Sequence, residues 1–370
     1  MTTPILEPLP RLHVPRTEGQ TWPRLEKHRA LLIGLALALG AIFLLSLAIG
    51  SVSIPLDDIL RALFGGEASR EAYTNIVLRF RLPKAVTAIL AGSALAVSGL
   101  HLQTMFRNPL AGPFVLGISS GASLGVALVV LSAGVGGGLL LAGVSLLGDL
   151  GLAVAAILGA SLVMGLILLV ARRVESSVTL LILGLMFGYG TSAVVSLLLY
   201  FAIPERIQAY VNWTFGSFGS VTWSQMAVFA PLVIAGLVLA QAIVKPLNAL
   251  LLGEDYAHSL GLNVRRARLW IIGSTALLAG SVTAFCGPIG FVGIAMPHVA
   301  RSVLGTADHR VIVPGSALIG AIAALLADLI AQVPGSQTVL PLNAVTALIG
   351  APVVMWVILR QRNLRASFGG

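Results

Sequence analysis

Charge is what this sequence has least of. Only 10% of its 370 residues are charged, against about 25% in soluble domains, and only three are lysines, Lys27, Lys84 and Lys245. Hydrophobic residues make up 57% of the chain, and the mean hydropathy is +0.97. Such a chain has too few polar groups to cover itself in water, so lipid must be its solvent. The single cysteine, Cys286, excludes an intrachain disulfide and a thiolate cluster. The histidines (His13, His28, His101, His258, His298, His309) show no paired ligand spacing, so no metal site is expected. No lysine follows a glycine, which rules out a P-loop; the chain cannot cradle ATP phosphates. No catalytic constellation is present either. If ATP drives this protein, another subunit binds the ATP and its magnesium.

What the sequence has in quantity is long uncharged runs. A spanning helix needs about 20 apolar residues. Uncharged stretches of that order occupy 30–50, 85–106, 114–133, 150–171, 178–203, 222–244 and 338–359, and 311–333 carries one acid, Asp328. The longest, 269–300, would be about 48 Å as one helix, against a hydrocarbon core of about 30 Å. It contains Gly287-Pro288-Ile289-Gly290, a helix breaker. It is either one tilted span or a full span plus a short second pass shielded by neighbouring helices.

Charge decides between these. With the N-terminus inside, a double crossing leaves only Arg61, Arg70, Arg79, Arg81, Lys84 and Arg206 outside and the other 17 of 23 cations inside. A single crossing divides them twelve to eleven. The positive-inside rule prefers the first. The expected fold is therefore all-α and polytopic: ten transmembrane helices over 30–360, with both termini cytoplasmic. Residues 1–29 and 361–370 are expected as cytoplasmic tails, and 51–84 as a small external cap. No apolar core precedes Ala30, so a cleavable signal peptide is not expected. The net charge of +9 is then a topology signal and not a sign of nucleic-acid binding. Glycines such as Gly117, Gly121, Gly125, Gly159 and Gly165 are expected to serve close helix packing.

Gradient-coupled carriers need ionisable groups at mid-membrane. The one acid inside a span, Asp328, lies near its external end and is expected to cap or pair there. His101 and His298 are expected to be packing or interfacial residues. Two segments stand out. The internal loop 245–268 is long enough for two short helices broken at Gly261, with Leu250, Leu251, Leu252, Tyr256 and Leu260 available to a partner's groove; an ordinary positive-inside anchor fits it equally well. The second is the cluster Arg79, Arg81 and Lys84 on the outer face. It fits either a docking site for an acidic partner or headgroup anchoring.

Several ordered motifs carry a resemblance. They are Arg81-Leu82-Pro83-Lys84; Ala91-Gly92-Ser93-Ala94-Leu95-Ala96-Val97-Ser98-Gly99; Gln103 and Asn108-Pro109-Leu110-Ala111; Leu116-Gly117-Ile118-Ser119-Ser120-Gly121-Ala122; Leu252-Gly253-Glu254 with Ser259-Leu260-Gly261; Gly287 to Gly293; Pro297-His298; Arg301; Asp308-His309-Arg310; Asp328; and Pro341 to Pro352. In this order, over about 50–360, the chain resembles the FecCD-type permeases of ABC importers for iron–siderophore, haem and cobalamin.

The resemblance implies ten helices per subunit, a second permease subunit (a homodimer or a paralogous heterodimer), two cytoplasmic ATPase subunits and an external substrate-binding protein. It implies that Gly253, Glu254, Ala257, Ser259, Leu260 and Gly261 seat in the ATPase, and that Arg81 and Lys84 receive acidic side chains of the binding protein, with Arg79 as a candidate for a further docking contact. A cytoplasmic gate is implied at Ser176 and Ser177, with a constriction at Asn108 and Leu110. Gln332 stands where the family has a third docking arginine, and Leu340 and Leu342-Asn343 also depart from its pattern. The expected function is inward passage of an iron(III)–siderophore or haem complex across the cytoplasmic membrane. Cobalamin import and, from another class, a gradient-driven secondary transporter are the alternatives.

Overall fold

The computed structural model describes residues 22–131, 151–171, 173–174, 177–333 and 339–367. Every regular element among them is helical. Seven helices are long and apolar enough to cross a membrane: α1 (Trp22–Ala48), α4 (Leu82–Met105), α6 (Gly151–Ala171), α7 (Ser177–Phe201), α9 (Trp223–Ala242), α12 (Val264–Cys286) and α14 (His309–Ala331). Three more are apolar but shorter in their apolar part: α5 (Ile118–Val130), α13 (Val292–Leu304) and α15 (Leu342–Ser367). The remaining helices, α2 (Leu56–Leu63), α3 (Glu71–Asn75), α8 (Pro204–Thr214), α10 (Val244–Leu251) and α11 (Glu254–Ser259), lie at the ends of the bundle.

The bundle is built round α4, which is buried along most of its length. A π-helical stretch, Ile76–Arg81, joins α3 to α4, so 71–105 is one continuous helix. Pro83 has no N–H for the carbonyl four residues back, and its ring crowds that carbonyl; the wider π turn falls where this crowding does. Glycines let α4 meet its neighbours backbone to backbone. A Cβ on Gly92 would overlap the carbonyl of Gly320 on α14, and one on Gly99 the carbonyl of Gly293 on α13. Gly121 and Gly125 of α5 pack in the same way on Gly159 and Ala155 of α6. A Cβ on Gly165 would meet nothing within 4 Å among the described residues, so no close helix crossing is built on it there.

Contacts along α4 give the directions of its partners. Lys84 meets Asp328, Ser93 Oγ donates to the Ala317 carbonyl, and Thr104 meets His309; α14 is therefore antiparallel to α4. Gly99 meets Gly293 while Gln103 meets Arg301, so α13 runs parallel to it. The end of α12 lies with Lys84: Ser217 N donates to the Cys286 carbonyl at 2.8 Å, and Gly219 faces the Lys84 stem. The start of α12 lies at the opposite end, where Arg268 bonds Glu254 and Gly253 faces the Arg107 guanidinium. The stretch 269–300 thus leaves the α10–α11 end, breaks at Gly287 (φ +76°) and Phe291 (φ +65°), and returns in α13. The predicted break is there, and α13 is covered by α4, α14 and α15.

Some boundaries differ from expectation. Helix α1 begins at Trp22 with Pro23 in its first turn, and α15 runs to Ser367, so parts of both expected tails are helical. Their helix-forming Leu, Glu, Lys, Arg and Gln residues include no breaker, and the backbone ladder simply continues past the apolar run. In the 245–268 loop the break between the short helices is Gly253 (φ +111°), whereas Gly261 (φ +83°) closes the second one. In the segment 51–84, Ser69 donates its N–H and hydroxyl to Asp58 at 2.8 and 2.7 Å. These bonds hold the Asp58 carboxyl below the usual carboxylate range.

The glycine contacts make a direct prediction. Gly99→Val should lower the midpoint of thermal unfolding in detergent, because overpacking at a backbone crossing costs about 1–3 kcal/mol or more. Gly165→Ala should leave the midpoint unchanged. Equal midpoints for the two variants would remove the α4–α13 crossing as a determinant of stability.

Candidate functional site

At the α10–α11 end, Val244, Leu247 and Leu250 seat α10 on the core, and Ala257 does the same for α11. This leaves Leu252, Tyr256 and Leu260 exposed as an apolar row. Glu254 Oε2 accepts from Arg268 Nη2 at 2.5 Å, and the Arg268 side chain is buried with its Nε unpartnered. The pair clips the start of α11 to α12. Ser259 Oγ donates to the Tyr256 carbonyl at 2.8 Å, closing the last turn of α11. Beside these helices lies a cleft of about 740 Å³ bordered by Arg173, Asp255, His258, Arg265 and Arg268.

Next to Gly253, the chain leaves α4 through Arg107, which takes a left-handed φ of +48°. Asn108 then closes a tight turn, its Oδ1 accepting from Leu110 N at 2.9 Å, and Leu110 is exposed. The turn is held from α13. His298 Nε2 donates to the Pro109 carbonyl at 2.7 Å, Arg301 donates to Gln103 Oε1 at 2.7 Å, and Gln103 Nε2 donates to the Ile294 carbonyl at 3.0 Å. Asn108, Leu110 and Gly253 are therefore neighbours at one end of the bundle. Ser176 lies outside the described residues, and Ser177 opens α7, where only its backbone is described. His298 does more than pack, because it anchors the turn. His101 is fully buried with neither ring nitrogen hydrogen-bonded, as a packing residue would be.

At the other end Arg79, Arg81 and Lys84 have different surroundings. Arg79 is exposed. Arg81 turns inward and donates Nη1 to the carbonyls of Leu47 (2.6 Å) and Ala48 (2.9 Å), and Nη2 to the Val52 carbonyl. It thereby satisfies carbonyls that the last turn of α1 leaves without intrahelical partners. Lys84 Nζ sits 2.9 Å from Asp328 Oδ1, so Asp328 is paired near the end of its helix, as expected. Gln332 Nε2 donates to Asp328 Oδ2 at 2.7 Å, so both oxygens of this carboxylate have a partner. Asn343 also has a role. Its Oδ1 accepts from Gly290 N and its N–H donates to the Phe215 carbonyl, both at 3.0 Å, tying three loops together. Sequence reasoning assigned no function to Gln103, Arg301 or Asn343. The only signal for Lys84–Asp328 was scarcity, since a lone acid in a span needs a partner.

Comparison with known proteins agrees with this architecture. The FecCD transport family model matches residues 36–360. The hemin transport system permease protein HmuU of Yersinia pestis is 34% identical over 327 residues, covering 88% of this chain and 96% of that protein. The vitamin B12 import system permease protein BtuC of Salmonella paratyphi A is 38% identical over 285 residues, covering 77% and 84%. An uncharacterised ABC transporter permease of Bacillus subtilis, YvrB, is 35% identical over 349 residues, covering 92% and 96%. Among solved structures, an inward-facing ABC transporter of the metal-chelate type superposes with a TM-score of 0.78 at 29% identity, over 90% of this chain and 99% of that one. The chain belongs to the FecCD transport family and is a multi-pass permease subunit of an ABC importer, leaving ATP hydrolysis to separate subunits.

Proposed function

We propose that this permease carries an iron(III)–siderophore or haem complex inward, crossing the cytoplasmic membrane in ten passes with both termini cytoplasmic. The seven long and three short apolar helices support that count, and the seventeen-to-six division of cations supports the orientation. A second reading, cobalamin import by the same mechanism, is favoured by the relatives named for vitamin B12. The chain works as one of two permease copies, with two ATPases below and a binding protein above.

The observation that carries the proposal is the α10–α11 end. The exposed row Leu252, Tyr256 and Leu260 is an apolar face for a groove in the ATPase. Gly253, Glu254, Ala257, Ser259, Leu260 and Gly261 form the coupling element, of which Glu254 and Ala257 hold it to the bundle while Leu260 faces outward. Asn108 and Leu110, adjacent to it, form the constriction, with Ser176 and Ser177 as the gate. Alternating access follows when nucleotide-driven movement of the ATPases displaces the coupling helices.

On the outer face, Arg79, Arg81 and Lys84 form the docking patch for acidic side chains of the binding protein. A docking carboxylate meets Arg79 freely, but at Arg81 it competes with the α1 carbonyls and at Lys84 with Asp328. Arg79 should therefore account for most of the salt-sensitive attraction.

Uptake of haem, an iron(III)–siderophore and cobalamin into proteoliposomes containing the permease, its ATPase and its binding protein tests the cargo. ATP-dependent uptake of an iron complex but not cobalamin is expected; uptake of cobalamin alone would overturn the main proposal. Leu260→Asp should abolish co-purification of the ATPase while membrane insertion stays normal, since Leu260 touches no internal partner that insertion needs. Co-purification at wild-type levels would remove α11 from the interface. Arg79→Glu should weaken binding-protein docking about tenfold at low salt without changing the unfolding midpoint. Lys84→Glu should lower the midpoint as well, because an unpaired buried charge costs about 3 kcal/mol. Unchanged low-salt docking by Arg79→Glu would move the docking site elsewhere.

A further inference from the structure

The α10–α11 end contains a polar chain, running from exposed Asp308 to buried His309 and Thr104, that neither the apolar row nor the constriction uses. Asn248, on α10, donates its Nδ2 to Asp308 Oδ1 at 2.7 Å. Asp308 is the N-cap of α14 and also accepts from Arg310 N at 3.0 Å. Burial pushes the Asp308 carboxyl up, but its bonds from Arg310 N and Asn248 outweigh that and hold it below the usual carboxylate range. An ionised carboxylate only accepts, which fixes the orientation of the Asn248 amide. Asn248 Oδ1 consequently faces the first residue of α14, accepting from both the His309 N–H and the His309 Nδ1 at 2.8 Å. The His309 ring is buried, and its Nε2 lies 2.9 Å from Thr104 Oγ1 on α4. With Nδ1 carrying the proton of a neutral ring, Nε2 accepts from the Thr104 hydroxyl. That hydroxyl also lies 2.9 Å from the Leu100 carbonyl, so the single hydrogen has two acceptors.

These bonds join three elements that apolar contacts alone would leave free to slide. Hydrophobic contact has no direction, whereas a hydrogen bond loses most of its strength when misaligned. Thr104 is followed within one turn by Asn108 and preceded by Gln103, which Arg301 holds from α13.

We propose that Asn248 and His309 are positioning residues that lock coupling helix α10 to the start of α14 and the base of α4, so that displacement of α10 reaches the Asn108–Leu110 turn as one rigid movement. This rests on the coupling role proposed for 245–268. Loss of the linkage would uncouple the importer: ATP is hydrolysed, but less cargo moves per ATP.

The test uses the whole complex of permease, ATPases and binding protein in proteoliposomes. ATPase retention reports on the coupling role, and cargo uptake per ATP hydrolysed reports on the linkage. Asn248→Ala should retain the ATPase and keep hydrolysis within about twofold, while uptake per ATP falls about tenfold, a coupling loss of ordinary size. His309→Asn, which keeps an amide near the Nδ1 position, and His309→Gln, which keeps one near Nε2, should each fall short, because each spans only half the bridge. Thr104→Val keeps the side-chain shape and removes the hydroxyl, so it carries the test if Asn248→Ala does not assemble. Asn248→Ala combined with Thr104→Val should be no worse than the worse single variant, since both cut one chain. Unchanged uptake per ATP in these variants, or strictly additive losses, would overturn the proposal. So would a parallel fall of hydrolysis and uptake at constant ratio, which plain structural damage produces.

Discussion

The rest of the structure depends on the close approach of α4 to α14. In lipid no hydrophobic force draws two apolar helices together, so they associate through van der Waals contact and hydrogen bonds. Gly92 and Gly320 bring the two backbones into contact near the middle, and Ser93 adds a bond to the Ala317 carbonyl at 2.9 Å. The pair is then closed at both ends by polar contacts of 2.9 Å, Lys84 with Asp328 and Thr104 with His309. Four contacts spread along one antiparallel pair fix its register, because a shift by one residue would break all of them. Every site described above hangs on this spine. Arg81 lies three residues before Lys84, the Asn108–Leu110 turn follows Thr104, and α13 is placed by Gly99 and Gln103.

The two ends of the spine differ in what they leave unsatisfied. At the α2–α8 end the cations Arg81 and Lys84 are consumed by internal acceptors, and that end is sealed by short bonds among Phe215, Gly290 and Asn343. At the α10–α11 end Asn248, His309 and Glu254 bond to neighbouring helices, and the large apolar side chains Leu252, Tyr256 and Leu260 face out among exposed charged residues such as Asp255, Arg265 and Asp308. The first end thus presents exposed Arg79 beside the bonded Arg81 and Lys84, and the second an apolar ridge set among charged side chains. A partner that must come and go suits the first, because a charge-steered contact forms quickly and is weak in salt. A partner that must transmit force suits the second, since an apolar ridge seated in a groove excludes water and resists displacement.

The sequence revealed different levels of this architecture unequally. Helix positions were legible because lipid imposes the hydropathy directly on the chain, and the break at 287–290 was legible because Gly and Pro act locally. Small-residue packing at Gly121, Gly125 and Gly159 was legible as a type of contact. Which glycines meet which was not, and a Cβ on Gly165 would meet nothing within 4 Å among the described residues. The break in the 245–268 loop is at Gly253 and not at the expected Gly261. Both glycines look alike in sequence and both take a positive φ. Only the helix bounds, Leu251 and Glu254 on one side and Ser259 on the other, tell which parts two helices and which follows the second.

The inward turn of Arg81 marks where this kind of inference stops. Charge counting places an arginine on a side of the membrane with some force, because moving it across is costly for the whole segment. It carries no information about which face of its helix the guanidinium occupies. That depends on where the end of α1 arrives, a residue separation of about thirty that no local period encodes. The Lys84–Asp328 and His309–Asn248 contacts have the same character, with partners 244 and 61 residues apart. A scarce charge in a membrane chain signals that a partner exists, and the spine decides which partner it is. Residues whose roles are set by such long-range pairs are invisible to motif reasoning even when they stand inside the motif, as His309 does.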